Sequence, residues 1–271
     1  MPPERHEPAA ATTETCDRLF CLTLGWEYCP RFLSLEGGGG VIQRLPVCAI
    51  LVHGAAGWVL LETGIGPAFR DPVRASQTYP DGLPELPGDG DPLVDALAAC
   101  GVGVSEVAGV AVSHLHVDHA GGLRHFADGR PIWIQRRELD FAFTDAAAGQ
   151  AYIRSDYDHP GLAWNVLDGD AALVPGVDAV FTPGHTPGHM SYRVRMRDSG
   201  TWLFAVDAID LQEGIDTGIP IGSSADPADA SLRRRSHNRL VALADEEGAR
   251  LLAGHCPVTW PSRPGPPHGV T

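Results

Sequence analysis

Residues 107–122 read VAGVAVSHLHVDHAGG and contain the densest group of potential metal ligands in the chain. The apolar run Val107–Val112 predicts a buried strand. Four side chains that can bind a metal follow it: His114, His116, Asp118 and His119. Histidines two residues apart in extended backbone share a face and can chelate one ion, and zinc-like ions accept imidazole together with carboxylate. The segment therefore predicts a metal site; a polar loop of structural histidines is the weaker interpretation.

Three later segments repeat this arrangement, in which a polar group directly follows an apolar run. The predicted strands are Val177–Thr182, Thr201–Val206 and Arg250–Ala253, and the polar residues after them are His185, Asp207 and His255. Functional groups are commonly presented on loops at the ends of rigid elements, so these three are candidate ligands. Each also has a structural interpretation, as a turn histidine, a strand-end cap and a histidine near the terminus, respectively. We expect His189 to be structural rather than a ligand.

The order of the predicted elements indicates a layered domain that mixes strands and helices. Leu45–Thr63 predicts a hairpin, and helices are predicted over Arg136–Ala148 and from Asp226-Pro227 to Glu247. Loose alternation of this kind is typical of an α/β, or α+β layered, fold. We expect residues 1–17, rich in Pro, Ala, Thr and Glu, to form a disordered tail, and residues 18–271 to form a single domain.

Composition excludes several classes of function. The formal net charge of −14 argues against nucleic acid as a partner, and the consecutive Arg233, Arg234 and Arg235 are more typical of a solvated helix face. The absence of lysine excludes Schiff-base, pyridoxal-phosphate and Walker-A chemistry. The six cysteines form no CxxC pair, so a zinc ribbon is not expected. With no long apolar stretch and no signal-peptide pattern, we expect no membrane association and a cytoplasmic location.

HLHVDHAGG resembles the H-x-H-x-D-H signature of the metallo-β-lactamase superfamily, and TPGHTPGH, FAVDAID and LLAGHCP follow in the order that this superfamily shows. The resemblance covers about residues 19–262 and implies an αββα sandwich with a dinuclear metal centre. By this resemblance His114, His116 and His185 would hold one ion, Asp118, His119 and His255 the other, and Asp207 would bridge them. Zinc is the expected metal, with Mn, Fe or Co as alternatives.

Within the superfamily, LPVCAILVHGAAGWVLLETG, TPGHTPGHMSYRV and GHCPVTW resemble the N-acyl-homoserine lactonases. This resemblance implies that a hydroxide shared by the two metal ions opens a small-molecule lactone or related ester. Asp118 would orient the water and carry a proton to the leaving group. A thioesterase of the glyoxalase-II type and a catalytically drifted metal-binding scaffold are the alternatives. The oligomeric state is open, a homodimer being one option.

Three positions depart from the lactonase pattern. Asp210 stands where a tyrosine is common, Glu62 where aspartate is usual, and Cys256 where aspartate usually follows the last histidine. An ionised carboxylate cannot donate a hydrogen bond to a substrate oxygen. Asp210, a candidate catalytic residue, could have a raised pKa, could be replaced in its role by a group such as Tyr157, or could serve a different substrate, for example one with an amine. We expect altered substrate choice. Cys256 would be a buried thiol beside the ligands or an extra ligand.

Overall fold

The computed structural model describes residues 14–271, in which two β-sheets pack face to face. The first sheet has its strands in chain order: β1 (Arg18–Pro30), β2 (Ile42–Gly54), β3 (Gly57–Leu61), β4 (Val107–Ala111), β5 (Pro131–Gln135) and β6 (Ala163–Leu167). The second has the order β11, β10, β9, β8, β7, formed by β7 (Ala171–Val174), β8 (Val177–Phe181), β9 (Met190–Met196), β10 (Gly200–Phe204) and β11 (Arg250–Leu252).

The helices lie in the connections between these strands. They are α1 (Arg31–Ser34), α2 (Pro72–Thr78), α3 (Pro92–Ala99), α4 (Val117–Ala120), α5 (Arg136–Ala142), α6 (Arg154–Tyr157), α7 (Gln212–Thr217) and α8 (Ala230–Glu247). Asp91 caps α3, since its carboxylate accepts hydrogen bonds from the amides of Leu93 and Val94, and Pro92 occupies the first helical position. Over the described residues, none of the helices is long and apolar enough to cross a bilayer.

Alternation of side chains along the strands produces four layers. In β3, Leu60 belongs to the buried cluster that includes Leu93 of α3, whereas Leu61 belongs to the cluster between the two sheets. On the far side of the second sheet, Leu240 of α8 packs in a buried cluster with Val180 of β8. The αββα sandwich that the resemblance implied is therefore confirmed.

Strand direction brings the polar clusters to one edge of this sandwich. β3, β4 and β5 are parallel neighbours in the first sheet, and β10 and β11 are parallel neighbours in the second. The carboxyl ends of parallel strands lie at the same edge, so the residues that follow them approach one another. His114 follows β4, Asp207 follows β10 and His255 follows β11.

Some predicted boundaries are wrong. The helix predicted over Arg136–Ala148 ends at Ala142, because the amide and the hydroxyl of Thr144 both donate to the carbonyl oxygen of Phe141 and close a turn. The helix predicted from Asp226-Pro227 begins at Ala230, after a short 3₁₀ turn.

The predicted N-terminal tail is described only at its end. The Cys16 amide donates to the carbonyl oxygen of Arg195 and the Asp17 amide to that of His53, so these two residues are bound to the sheets. Residues 1–13 of the predicted tail lie outside the described residues.

Candidate metal centre

Three imidazoles converge where β4 and β8 end. His114 Nε2 lies 3.0 Å from His116 Nδ1, which lies 3.1 Å from His185 Nε2. Ligand atoms bound tetrahedrally to zinc at about 2.1 Å are separated by roughly 3.4 Å, so these three nitrogens can reach one cation. This is the first group of ligands that the sequence resemblance implied.

A second group lies beside the first and combines two imidazoles with two carboxylates. Asp118 Oδ2 is 2.9 Å from His119 Nε2, and Asp207 Oδ1 is 2.9 Å from His255 Nε2 and 3.2 Å from His119 Nε2. All four residues are buried. A mixed nitrogen and oxygen donor set of this kind suits zinc and related divalent ions.

Asp207 joins the two groups. Its Oδ1 lies among the nitrogens of the second group, while its Oδ2 lies 3.4 Å from His185 Nε2 and 3.9 Å from His114 Nε2 in the first. One carboxylate can therefore contribute an oxygen to each of two neighbouring cations. This is the geometry expected of the bridging ligand.

The donor atoms are suited to binding a metal because, in four of the five ligand histidines, the protein contacts the ring nitrogen that is not a donor atom. Four imidazoles use Nδ1 for a contact at 2.8–2.9 Å, with these partners: Ser113 Oγ for His114, Glu62 Oε2 for His119, Ser223 Oγ for His185 and the Pro46 carbonyl oxygen for His255. Such contacts fix ring orientation and leave Nε2 free to coordinate. His119 Nε2 is buried and lies 2.9 Å from Asp118 Oδ2 and 3.2 Å from Asp207 Oδ1, without the geometry of a hydrogen bond to either.

Protonation states favour coordination in the first ligand group, whereas Asp118 and Asp207 outweigh burial and hold the pKa of His119 and His255 in the second group well above its usual value, so these two imidazoles lose a proton when a cation binds. Burial, reinforced by neighbouring imidazoles, holds the pKa of His114 well below its usual value and lowers that of His116 to about 3. Neutral imidazole is the form that binds metal. Burial alone would raise the pKa of Asp207, but His255 and His119 outweigh it and hold that pKa well below its ordinary range. The carboxylate is therefore ionised.

Glu62, the longer carboxylate at the end of β3, fits beside the ligands. Its Oε1 accepts hydrogen bonds from the Ser113 amide, at 2.8 Å, and from the Tyr192 hydroxyl, while Oε2 lies 2.8 Å from His119 Nδ1. Its φ is 71°, a conformation uncommon outside glycine and often found at functional sites. Glu62 thus attaches the hairpin and β9 to the metal-binding loop.

Glu138 is a supporting residue that the sequence did not reveal. It is fully buried on α5, and its carboxylate accepts hydrogen bonds from the Leu115 amide (3.0 Å), the Gly188 amide (3.2 Å) and the Tyr152 hydroxyl (2.8 Å). It thereby connects the loop of His114 and His116 to that of His185. Its partners lie 14–50 residues away, so no local pattern marks this glutamate.

His189 lies close enough to His114 and Asp207 to be considered a ligand, yet its nitrogens have protein partners. Nδ1 lies 2.9 Å from Thr182 Oγ1, and Nε2 accepts a hydrogen bond from the Asp207 amide at 3.1 Å. Because both nitrogens are engaged, His189 supports the Asp207 loop. This geometry agrees with the structural role expected for it.

A cavity of ≈ 320 Å³ opens beside the ligands and is lined by His116, Asp118, His185 and Asp207. Asp210 also lines it and is 6% exposed. Burial, followed by the charge of Asp207, raises the pKa of Asp210 to about 8. Asp210 thus faces the space in which a substrate would bind.

Two other residues of this cavity could not be recognised from the sequence. Glu27 of β1 contributes a second carboxyl group, and burial together with Asp118 raises its pKa to about 8. Tyr79, directly after α2, lines the same space with a buried hydroxyl that has no hydrogen-bond partner among the described residues. Neither residue lies near a ligand motif in sequence, so only the fold places them here.

Two of the roles that the sequence allowed are wrong: Tyr157 as a replacement for the missing tyrosine, and Cys256 as an extra ligand. Tyr157 cannot replace the missing tyrosine, because its hydroxyl donates to the Ala142 carbonyl oxygen and the residue does not line the cavity. Cys256 belongs to neither ligand group, so it is not an extra ligand; its thiol is buried next to Thr259, in agreement with the other alternative, a buried thiol.

Comparison with known proteins gives a consistent set of similarities. The family model described as "Metallo-beta-lactamase superfamily" matches residues 42–255. The chain is 38% identical to "N-acyl homoserine lactonase AttM" of Rhizobium johnstonii, covering 90% of this chain and 94% of that protein. It is 33% identical to AttM of Azorhizobium caulinodans, covering 90% and 95%. A crystal structure of a Bacillus thuringiensis AiiA mutant with N-decanoyl-L-homoserine at its active site superposes with a TM-score of 0.83 at 27% identity, covering 94% and 100%.

Proposed function

The chain belongs to the metallo-beta-lactamase superfamily and is a metal-dependent hydrolase, and from that premise we propose that it opens lactones or related esters at a centre of two divalent cations. The position of Asp207, with one oxygen in each group of ligands, carries the proposal of two cations. Zinc suits the donor set best, and Mn, Fe or Co would also be accepted.

Seven side chains would hold the cations. His114, His116 and His185 would hold one, Asp118, His119 and His255 would hold the other, and Asp207 would bridge them. When bound, such a pair lowers the pKa of a shared water toward neutrality and polarises a carbonyl group. In all other respects the chemistry depends on how the protein positions the substrate and moves the proton.

Asp118 is the proposed proton carrier. Its carboxylate lines the cavity while Oδ2 lies 2.9 Å from His119 Nε2, so it is in reach of both the ligands and a bound substrate. From this position it would accept the proton of the attacking water and return it to the leaving alkoxide. The reaction therefore needs no serine or cysteine nucleophile.

Asp210 is the proposed determinant of an altered substrate choice. It occupies the cavity wall where a phenol is common in lactonases, and it offers a carboxyl group instead. Three curated relatives named N-acyl homoserine lactonase support a lactone as the substrate class. A glutathione thioester fits less well, because no arginine is among the described residues that line the cavity and the chain has no lysine to pair with its carboxylates.

A substrate panel tests this function. The zinc-loaded or manganese-loaded enzyme would be assayed on unsubstituted lactones, N-acyl homoserine lactones, glutathione thioesters and phosphodiesters. We expect lactone hydrolysis, with kcat/KM reduced at least about 100-fold by Asp207→Ala and unchanged by Asp245→Ala, an exposed position on α8. Preference for thioesters, or metal-loaded protein inert on every ester, would contradict the proposal. N-acyl homoserine lactones as the best substrates would contradict the altered substrate choice.

A further inference from the structure

The cavity beside the metal centre is lined by three carboxyl groups that are in neither ligand group: the exposed Asp81, and Glu27 and Asp210, which are shielded from solvent to a greater extent. Glu27 belongs to β1, and Asp210 lies in the connection between β10 and α7, three residues after Asp207, the proposed bridging ligand. Among the described residues that line the cavity there is no arginine, and the chain has no lysine. This acidic wall, formed by Glu27 and Asp210, therefore faces the substrate space without an arginine or lysine of the described range beside it, and the basic groups that favour its ionised form are the ligand imidazoles His255 and His119.

This lack of partners distinguishes the two groups from most carboxylates around them. The side chain of Glu27 makes no hydrogen bond or ion pair with any residue of the described range 14–271, although Glu85, on the adjoining loop, pairs with Arg44. Asp210 is 6% exposed, and its Oδ1 is buried without a hydrogen-bond partner in the same range. An uncompensated buried carboxylate is costly, so such groups normally have a cationic partner.

Tyr79 gives an independent indication of a missing ligand. The residue is 8% exposed, lines the same cavity and has a buried hydroxyl with no partner in the described chain. A phenol oxygen can accept a hydrogen bond, and an aromatic face attracts cations. Two carboxylates and a phenol offer several acceptors, and a primary ammonium group has three donors to match them.

We propose that Glu27 and Asp210 form a cation subsite, with Tyr79 beside it, and that the enzyme therefore selects a lactone or ester that carries an ammonium group. The choice of substrate rests on the proposed function, whereas the subsite itself can be tested by binding. In this arrangement the ammonium group lies against the acidic wall, and the carbonyl group lies toward the ligands of the metal centre.

Binding of a ligand that resists hydrolysis provides the direct test. The metal-loaded protein would be titrated calorimetrically at pH 6.5 with (S)-3-aminopyrrolidin-2-one, an unstrained lactam, and with its neutral N-acetyl derivative. At this pH an α-amino group, with a pKa of about 7.7–8.0 or somewhat lower beside a carbonyl, is largely protonated. The pKa of both Glu27 and Asp210 is about 8 without metal, and the bound divalent cations together with the ammonium group favour the ionised form of these carboxyl groups. We expect the ammonium ligand to bind at least about tenfold more tightly than the neutral one.

Substitutions test whether the preference for the ammonium ligand arises from Glu27 and Asp210. Glu27→Gln should reduce the preference to less than about threefold, and Asp210→Asn should reduce it in the same direction. Glu246→Gln removes the same charge from an exposed position on α8 and should leave the ratio unchanged. Equal or tighter binding of the neutral ligand by the unmodified protein, or a ratio unaffected by Glu27→Gln, would overturn the proposal.

A kinetic comparison separates this inference from the proposed reaction. L-Homoserine lactone and N-acetyl-L-homoserine lactone share the scissile bond and differ in the ammonium group. Faster hydrolysis of the first, measured as kcat/KM at pH 6.5, supports both proposals. Hydrolysis of both with preference for the neutral lactone retains the reaction and overturns the subsite. If neither is hydrolysed but the binding preference persists, the reaction is wrong and the subsite stands.

Discussion

Glu62 shows how one side chain can orient a ligand and stabilise a loop. It contacts His119 through one oxygen and the Ser113 amide and Tyr192 hydroxyl through the other. A carboxylate facing Nδ1 fixes the histidine tautomer and makes Nε2 a stronger donor to metal. A neutral amide of similar shape retains much of the packing but loses this effect.

We therefore expect Glu62→Gln to weaken binding of the second cation by about 10-fold to 100-fold. Competition with a chromophoric chelator would measure the affinity of each site. Glu246→Gln, on the exposed face of α8, serves as the matched control and should not change either affinity. Unaltered affinity in Glu62→Gln would show that the contact with His119 contributes nothing to coordination.

Asp156, which is not part of the metal centre, makes the folding stability of the protein depend on pH. Burial raises its pKa to about 6, despite the nearby Arg74 and Arg124, and its Oδ2 is buried without a partner in the described chain. Since the folded-state pKa exceeds that of the unfolded chain, about 3.9, folding is favoured least when the group is ionised. This contribution is most favourable below pH 4 and is lost as the pH rises through 6.

Asp156→Asn should therefore stabilise the protein at neutral pH. We expect the gain in unfolding free energy to grow from near zero at pH 4 to about 1–2 kcal/mol at pH 7.5. Urea unfolding of both proteins across this pH range measures the difference. A gain that is independent of pH, or a loss at pH 7.5, would contradict the assignment.

The candidate ligands could be predicted because their chemistry is dense and local. His114, His116, Asp118 and His119 lie within six residues, and the remaining three each follow an apolar run. Glu27, Tyr79 and Glu138 could not be predicted in this way. Their roles depend on a cavity or on backbone amides distant in sequence, and an isolated Glu or Tyr has many uses.

Among the elements, α5 supports the metal centre without contributing a ligand. Through Glu138 it joins the loops that follow β4 and β8. Gly188 permits this approach, because a Cβ at that position would lie 2.0 Å from the backbone nitrogen of Glu138. The two loops are thus held against one short helix that contributes no ligand.

Glu138→Ala should disturb both loops at once. It leaves the amides of Leu115 and Gly188 and the hydroxyl of Tyr152 without their acceptor, and each buried unsatisfied donor costs about 1–3 kcal/mol. We expect the unfolding free energy to fall by about 3–5 kcal/mol, measured by urea denaturation.

Two other variants complete this experiment. Glu138→Gln preserves one acceptor oxygen and should lose less stability than Glu138→Ala. Glu246→Ala, at an exposed site of α8, should be close to neutral. A loss below about 1 kcal/mol in Glu138→Ala would show that the loops are held by other contacts.

Strand positions were easier to predict than helix boundaries. The hairpin over Leu45–Thr63 became β2 and β3, because β-rich runs around a Gly-containing turn specify both strands and their connection. The end of α5 depends on Thr144, whose side chain competes with the helix for the Phe141 carbonyl oxygen. Such competition is decided by local geometry that residue patterns do not encode.

At the scale of the whole molecule, the edge of the sandwich concentrates buried carboxylates and imidazoles from both sheets. The chain carries a formal net charge of −14, and Asp118 and Asp207 are buried within a few ångströms of the five proposed ligand imidazoles. Both sheets contribute ligands, so bound cations would connect the two halves of the fold. Binding free energy would then add to folding free energy.

Metal removal should consequently destabilise the entire protein. We expect exhaustive chelation to lower Tm by at least about 5 °C, equivalent to a few kcal/mol for a chain of this size. Differential scanning calorimetry before and after chelation measures the change, and restoring zinc should reverse it. A Tm that chelation leaves unchanged would contradict a role for cations in joining the sheets.

Anomalous diffraction from crystals of the metal-loaded protein tests the central claim most directly. We predict two peaks about 3.5 Å apart, one among His114, His116 and His185, the other among Asp118, His119 and His255, with an oxygen of Asp207 bound to each. A single peak, or none, in protein supplied with zinc or manganese would contradict the two-cation centre.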